Sequence, residues 1–160
     1  MPITKVGNCS IALDFNFKHL PYAKKPDAVI DATKNPQLLG EMFGDMDNDG
    51  SYNFDHLNFL HWNNFAWCFY KLLPGTLVPI HEDHFINYMK YYRLSDKAKI
   101  SRCLLFLEDW KPGHYFEAEA RSFIKWKAMD YVVWTHDTPH LGMNAGREDR
   151  YTLQITGTTE

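Results

Sequence analysis

The chain has 160 residues, 45% hydrophobic and 16% aromatic, with 17 Lys and Arg against 20 Asp and Glu for a formal net charge of −3. Such a composition excludes a disordered chain and calls for a packed, β-rich core. Without a basic field to hold a polyanion, nucleic-acid binding as the main business is excluded as well. The three cysteines, Cys9, Cys68 and Cys103, are far apart and form no C-x-x-C. They argue against a disulfide framework and a structural zinc site, and fit a reducing cytoplasm. No stretch reaches the roughly 18 apolar residues of a membrane span, and the N-terminus lacks the apolar run of a signal peptide. A soluble, cytoplasmic single domain over residues 1–160 is expected, with no membrane or nucleic-acid partner.

In chain order, helix is expected only within the first 60 residues, near residues 35–43. Asp45-Met46-Asp47-Asn48-Asp49-Gly50 copies the first half of an EF-hand calcium loop. Its twelfth position is His56 rather than a glutamate, and helix signals do not flank it, so it reads as an acidic turn. Were it to order on a cation, it would serve as a substrate lid. Residues 58–70 form a helix-like window whose aromatic density suits a strand equally well.

Short strands are expected over residues 65–73, closed by Pro74-Gly75, and then over 76–83 and the aromatic-dense 85–92. Residues 100–107 (ISRCLLFL) are apolar enough to be buried on both faces. Further strands are expected over 114–118, 122–126, 131–135 and 150–156. About eight short strands without regular helices between them favour a closed or double-sheet β architecture. Trp110, His114 and Tyr115 follow the apolar run and are candidates to border a cavity mouth. Trp110 and Tyr115 are the candidate substrate contacts, although core packing is the commoner fate of such aromatics.

Three metal-ligand candidates stand out: His81 and Asp83 of His81-Glu82-Asp83, and His140. Alternation along a strand puts His81 and Asp83 on one face, with Glu82 and His84 on the other. His140 lies 57 residues beyond Asp83, far enough for a folded-back β chain to return to the same mouth. Pro139 bars a continuing central strand there, which suits a ligand at a strand end. His136 is the rival third ligand. Two imidazoles and a carboxylate with open positions make the facial set of non-haem Fe(II) oxygenases.

Arg150-Tyr151-Thr152-Leu153-Gln154-Ile155-Thr156 alternates a polar face (Arg, Thr, Gln, Thr) with an apolar one (Tyr, Leu, Ile). On an edge strand the polar face would meet solvent. Turned inward, it offers Arg150 for a bidentate pair with a carboxylate and the Thr152 hydroxyl beside it.

With H-x-D, a distal His and R-x-T in place, the chain resembles the Fe(II)- and 2-oxoglutarate-dependent dioxygenases over roughly residues 65–157. The stretches R-C-L-L-F-L-E-D-W and T-P-H-L-G-M-N-A-G-R-E-D-R-Y-T-L-Q-I are similar to the prolyl-hydroxylase-like branch. The resemblance implies a mainly β, double-stranded β-helix (jelly-roll) core with a small α-containing N-terminal part. It also implies Fe(II) on His81, Asp83 and His140, 2-oxoglutarate held at Arg150 and Thr152, and O2 as co-substrate. The implied reaction couples decarboxylation to succinate and CO2 with hydroxylation of a peptidyl residue such as proline, or of a small amino-acid-like metabolite. Two positions depart from the family: Met129-Asp130 replaces the frequent Gly-Asp at a turn of positive φ, and residues 100–107 hold no tyrosine. A cupin-like iron enzyme without keto acid and a metal-free jelly-roll binding module are the competing readings.

Overall fold

Residues 3–24 and 40–159 are described in this computed structural model. They form strands β1 (Ile3–Asn8), β2 (Ala23–Lys24), β3 (Glu41–Gly44), β4 (Asn63–Leu72), β5 (Thr76–His81), β6 (Ile100–Phe106), β7 (His114–Ala118), β8 (Arg121–Phe123), β9 (Asp130–Thr135), β10 (His140–Asn144) and β11 (Arg150–Thr158), with one short helix, α1 (Ile86–Tyr92). The strands make two antiparallel sheets, ordered β1-β9-β6-β11-β4-β3-β2 and β5-β10-β7-β8. From β4 onward the chain passes back and forth between them, so that β4, β11, β6 and β9 in one sheet are interleaved in sequence with β5, β10, β7 and β8 in the other. This is the double-stranded β-helix, and the protein is mainly β. No helix among the described residues is long and apolar enough to cross a membrane.

The pattern of β6 explains its place. Flanked by β9 and β11, it is buried along nearly its whole length. Cys103 and Leu105 pack outward with Tyr151, Leu153 and Ile155 of β11, Trp67 and Phe69 of β4, and Leu20, Phe54 and Leu57 from the segments before β4. Leu104 and Phe106 pack inward, between the sheets, with Phe116, Trp126, Val132 and Trp134. Fully buried side chains such as Leu105, Leu153 and Ile155 each stabilise the fold by about 2 kcal/mol. β11 is a central strand between β4 and β6, so its polar face cannot be a solvated edge.

Three expectations about secondary structure are corrected. The helix expected near residues 35–43 lies partly outside the described residues, and its remainder runs into the strand Glu41–Gly44, paired to β4. Residues 85–92, read as a strand, carry α1 instead. Tyr88 and Tyr92 stand one helical turn apart with ring centroids 4.9 Å from each other, a pairing that aromatic density alone does not distinguish from alternation. Their hydroxyls donate to the carbonyls of Asn64 (2.6 Å) and Phe65 (3.0 Å), clipping α1 to β4. The third concerns residues 140–144, which form a strand directly after Pro139.

Met129 adopts φ 74°, the conformation that a glycine takes without strain. Its N–H donates to the Phe106 carbonyl at 2.7 Å and its own carbonyl accepts from Cys9 at 3.0 Å. Packing of its side chain against the main apolar cluster offsets a backbone cost of about 1 kcal/mol.

Candidate metal centre and its cavity

β5 and β10 lie side by side, and their register sets His140 directly opposite His81. β5 ends at His81, so Asp83 reaches the centre from the following loop rather than by strand alternation. The ligand atoms of His81, Asp83 and His140 all lie within 4.8 Å of one another, the only such group of three among the described residues. Asp83 Oδ1 is 3.7 Å from His81 Nε2, and Oδ2 is 3.3 Å from His140 Nε2. His136 is half-buried and outside this group, its Nε2 3.5 Å from Asp137 Oδ2.

The protonation of the two rings follows from their other nitrogens. His81 Nδ1 is 2.8 Å from the Pro79 carbonyl, and His140 Nδ1 is 2.9 Å from the Thr138 carbonyl. A carbonyl only accepts, so in the neutral rings Nδ1 carries the hydrogen and Nε2 presents its lone pair. Burial pushes the His140 pKa down to about 4, against the opposing pull of Asp83, and keeps that ring neutral at physiological pH. The His140 Nε2 lone pair therefore faces Asp83 Oδ2, a contact that an ion bound between them would turn from repulsive to attractive. Burial works to raise the Asp83 pKa, but Arg102, His140 and His81 outweigh it and leave the carboxyl below its ordinary value. Two imidazoles and one carboxylate, with each Nδ1 set against a backbone carbonyl, suit a divalent transition metal.

The centre opens into a cavity of about 450 Å³ between the sheets. Arg150, Thr152, Gln154 and Thr156 all line it, so the polar face of β11 is the inward one. Arg150 is buried, and desolvation lowers its pKa to about 10, which leaves it cationic at neutral pH. Its guanidinium makes one hydrogen bond among the described residues, from Nη1 to the Tyr115 carbonyl at 2.9 Å. Nε is buried without a hydrogen-bond partner, and no carboxylate among the described residues pairs with it. A Cβ placed on Gly142 would stand 3.0 Å from Nη2, so this glycine keeps space over the cation. Gly142 follows His140 by two strand residues, a rise of roughly 7 Å.

The candidate substrate contacts do not belong to the cavity. Tyr115 points to the far face of β7, its hydroxyl bonded to Glu117 and Ser122. Trp110 packs against the inter-sheet cluster and donates its indole N–H to the His114 carbonyl at 2.8 Å. The cavity rim is built instead from α1, including Tyr91, and from the Asp45–Asp47 turn. That turn is ordered by its own contacts: Asp49 accepts from the Ser51 backbone and hydroxyl, and Asn48 from Tyr52 N–H. Sequence reasoning missed Arg102, Gly142 and Tyr70 as cavity residues. A signal for Arg102 existed, because it is the one charge on the strand face that also carries Leu104 and Phe106.

No family model matches the sequence, and no curated protein sequence does either. Solved structures do match in fold. A prolyl-4-hydroxylase from Pseudomonas putida aligns with a TM-score of 0.53 at 18% identity, over 76% of this chain and 72% of that one. A candidate sugar phosphate isomerase from Acidithiobacillus ferrooxidans aligns with a TM-score of 0.52 at 12% identity, over 93% and 75%. At such identities the likeness concerns the fold alone, and the two neighbours carry different chemistries.

Proposed function

We propose that the chain is a non-haem Fe(II) dioxygenase that uses 2-oxoglutarate and O2, a single domain whose core spans residues 65–157. The observation that carries this reading is the buried Arg150 guanidinium, cationic and without a carboxylate, in the same cavity as the His81, Asp83 and His140 group. A buried cation of this kind calls for an anion, and no carboxylate among the described residues supplies it. Its neighbour Gly142 stands two strand residues from His140, a spacing that suits a short dicarboxylate held at one end by the metal and at the other by Arg150.

In this reading His81 and His140 present Nε2 and Asp83 presents an oxygen to Fe(II). Arg150 and Thr152 hold the far carboxylate of 2-oxoglutarate. Leu72, Val78, Leu104, Phe116 and Trp134 give the cavity dry walls, which strengthen the ion pair at Arg150. Iron so bound supplies the coupling of keto-acid decarboxylation, to succinate and CO2, with hydroxylation of a substrate C–H bond. The substrate is a peptidyl residue such as proline or a small amino-acid-like metabolite, entering past α1 and the Asp45–Asp47 turn.

The test is anaerobic addition of Fe(II) and 2-oxoglutarate to the purified protein, followed by visible absorption of the chelate. A band is expected for the wild type, absent in His140→Ala. In Arg150→Ala the band should need roughly a hundredfold more keto acid, the equivalent of about 2.7 kcal/mol. Iron binding with no band would replace this reading by an iron enzyme that uses no keto acid, and absence of iron binding would leave a binding module.

A further inference from the structure

We propose that Arg102 is a positioning residue that holds the Asp83 carboxylate so that one oxygen alone meets the metal; this rests on reading His81, Asp83 and His140 as a metal centre. The guanidinium is gripped on three sides. Nη1 lies 2.6 Å from Asp83 Oδ2, Nε donates to Thr156 Oγ1 at 3.2 Å, and the flat face covers the Phe85 ring with 4.7 Å to its centroid. Arg102 and Thr156 are direct partners across β6 and β11, in the middle of the larger sheet. The cation is therefore held from two paired central strands rather than from a loop.

Asp83 has no such support of its own. It sits in the irregular chain between β5 and α1, two residues before Phe85, which is forced to φ 57°. Among the described residues, no backbone N–H or neighbouring hydroxyl bonds its carboxylate. Of the described residues Arg102 is the cation that ties it down, and through Phe85 it ties down the rest of the loop as well.

The consequence is a choice of binding mode. A carboxylate that swings both oxygens onto an ion takes two coordination positions, whereas one that offers a single oxygen leaves another position for co-substrate. Oδ2, although 3.3 Å from His140 Nε2, is ion-paired to Arg102, which leaves Oδ1, 3.7 Å from His81 Nε2, as the oxygen with no competing cation. The carboxylate between guanidinium and metal offsets their repulsion. Partners that orient a metal ligand commonly contribute 10–100-fold in affinity, which makes orientation the larger effect.

The probe is Co(II) alone, added without keto acid to the full chain and followed by its visible absorption. Arg102→Met should bind Co(II) roughly 10–100-fold more weakly and show altered Co(II) bands, as the freed carboxylate changes its mode. Arg102→Lys restores a cation within reach of Oδ2 and should return affinity to within about fivefold of wild type. Thr156→Val keeps the arginine but frees Nε, and should lose about two- to threefold. A merely structural role would leave Lys no better than Met, and that result overturns the proposal. So would Co(II) binding in Arg102→Met as tight as in wild type, or tighter. Should Arg102→Met fail to fold, the Lys and Thr156→Val affinities decide alone. If the wild type binds Co(II) no better than His140→Ala, the metal-centre reading itself has failed, a result distinct from the others.

Discussion

The two faces of β11 differ in what they ask of the same backbone. Outward, Tyr151, Leu153 and Ile155 are sealed into an apolar cluster with Cys103 and Leu105. Inward, one residue out of step, Arg150, Thr152, Gln154 and Thr156 face a cavity, and a buried guanidinium lacks a carboxylate partner among the described residues. The outer face makes the strand stable enough to tolerate the inner one. Removing an outer side chain should therefore destabilise the protein without changing its ligands, whereas inner changes should alter ligands and leave stability equal or better.

The largest effect is expected at the metal. His81→Ala should weaken Fe(II) or Co(II) binding by roughly a thousandfold, about 4 kcal/mol, while the melting temperature of the metal-free protein stays near wild type. Titration followed by calorimetry checks both halves. Leu153→Ala, fully buried on the outer face, should lose about 3 kcal/mol of folding stability in a urea melt. Metal affinity measured well below its midpoint should not move, and a parallel loss of affinity would erase the division between the faces.

Acid should act through the inner side as well. His140 is neutral in the fold with a pKa of about 4, and ordinary near 6.5 when unfolded. The unfolded chain then binds more protons between those values, so stability of the metal-free protein falls as pH drops from 6.5 to 4, by up to about 3 kcal/mol. Denaturant melts across that range would show a flat profile in His140→Phe for this contribution. Arg150→Met removes a desolvated cation and should raise stability by about 1–2 kcal/mol while abolishing tight keto-acid binding. A lower melting temperature would mean that the Tyr115 carbonyl contact outweighs the burial. Smallest is Gly142→Ala, whose methyl crowds the Arg150 guanidinium: keto-acid affinity should drop about fivefold, near 1 kcal/mol, with metal affinity unchanged.

Much of this division could be read from residue order. Strict alternation in residues 150–156 separates the two faces, and the apolar run at 100–107 marks β6 as buried on both sides. His140 could be picked out by chemistry, but not as the first residue of a strand, because Pro139 reads as a boundary without saying which side resumes pairing. The aromatic spacing of residues 85–92 fits a strand and a helix alike, and the hydroxyl contacts to Asn64 and Phe65 that decide for helix are tertiary. β1 pairs with a strand more than 120 residues away, Ile3 opposite Trp134, which no local pattern reveals. Arg102 was the one charge in an apolar run, yet its partner Asp83 lies in a loop whose path depends on Phe85. Trp110 and Tyr115 show the converse failure: close in sequence to the buried strand, one packs into the inter-sheet cluster and the other turns to the outer face of β7.

β5 is the outermost strand of the smaller sheet, with Leu77 and Ile80 exposed along it and β10 as its sole neighbour in that sheet. His81 and His140 face each other at the end of that pair. An ion shared between them acts as a clasp on the edge of the sheet, so part of its binding energy appears as protection of the β5 and β10 amides from exchange. An unloaded molecule would then loosen first at this edge, where an unpaired strand can recruit another chain.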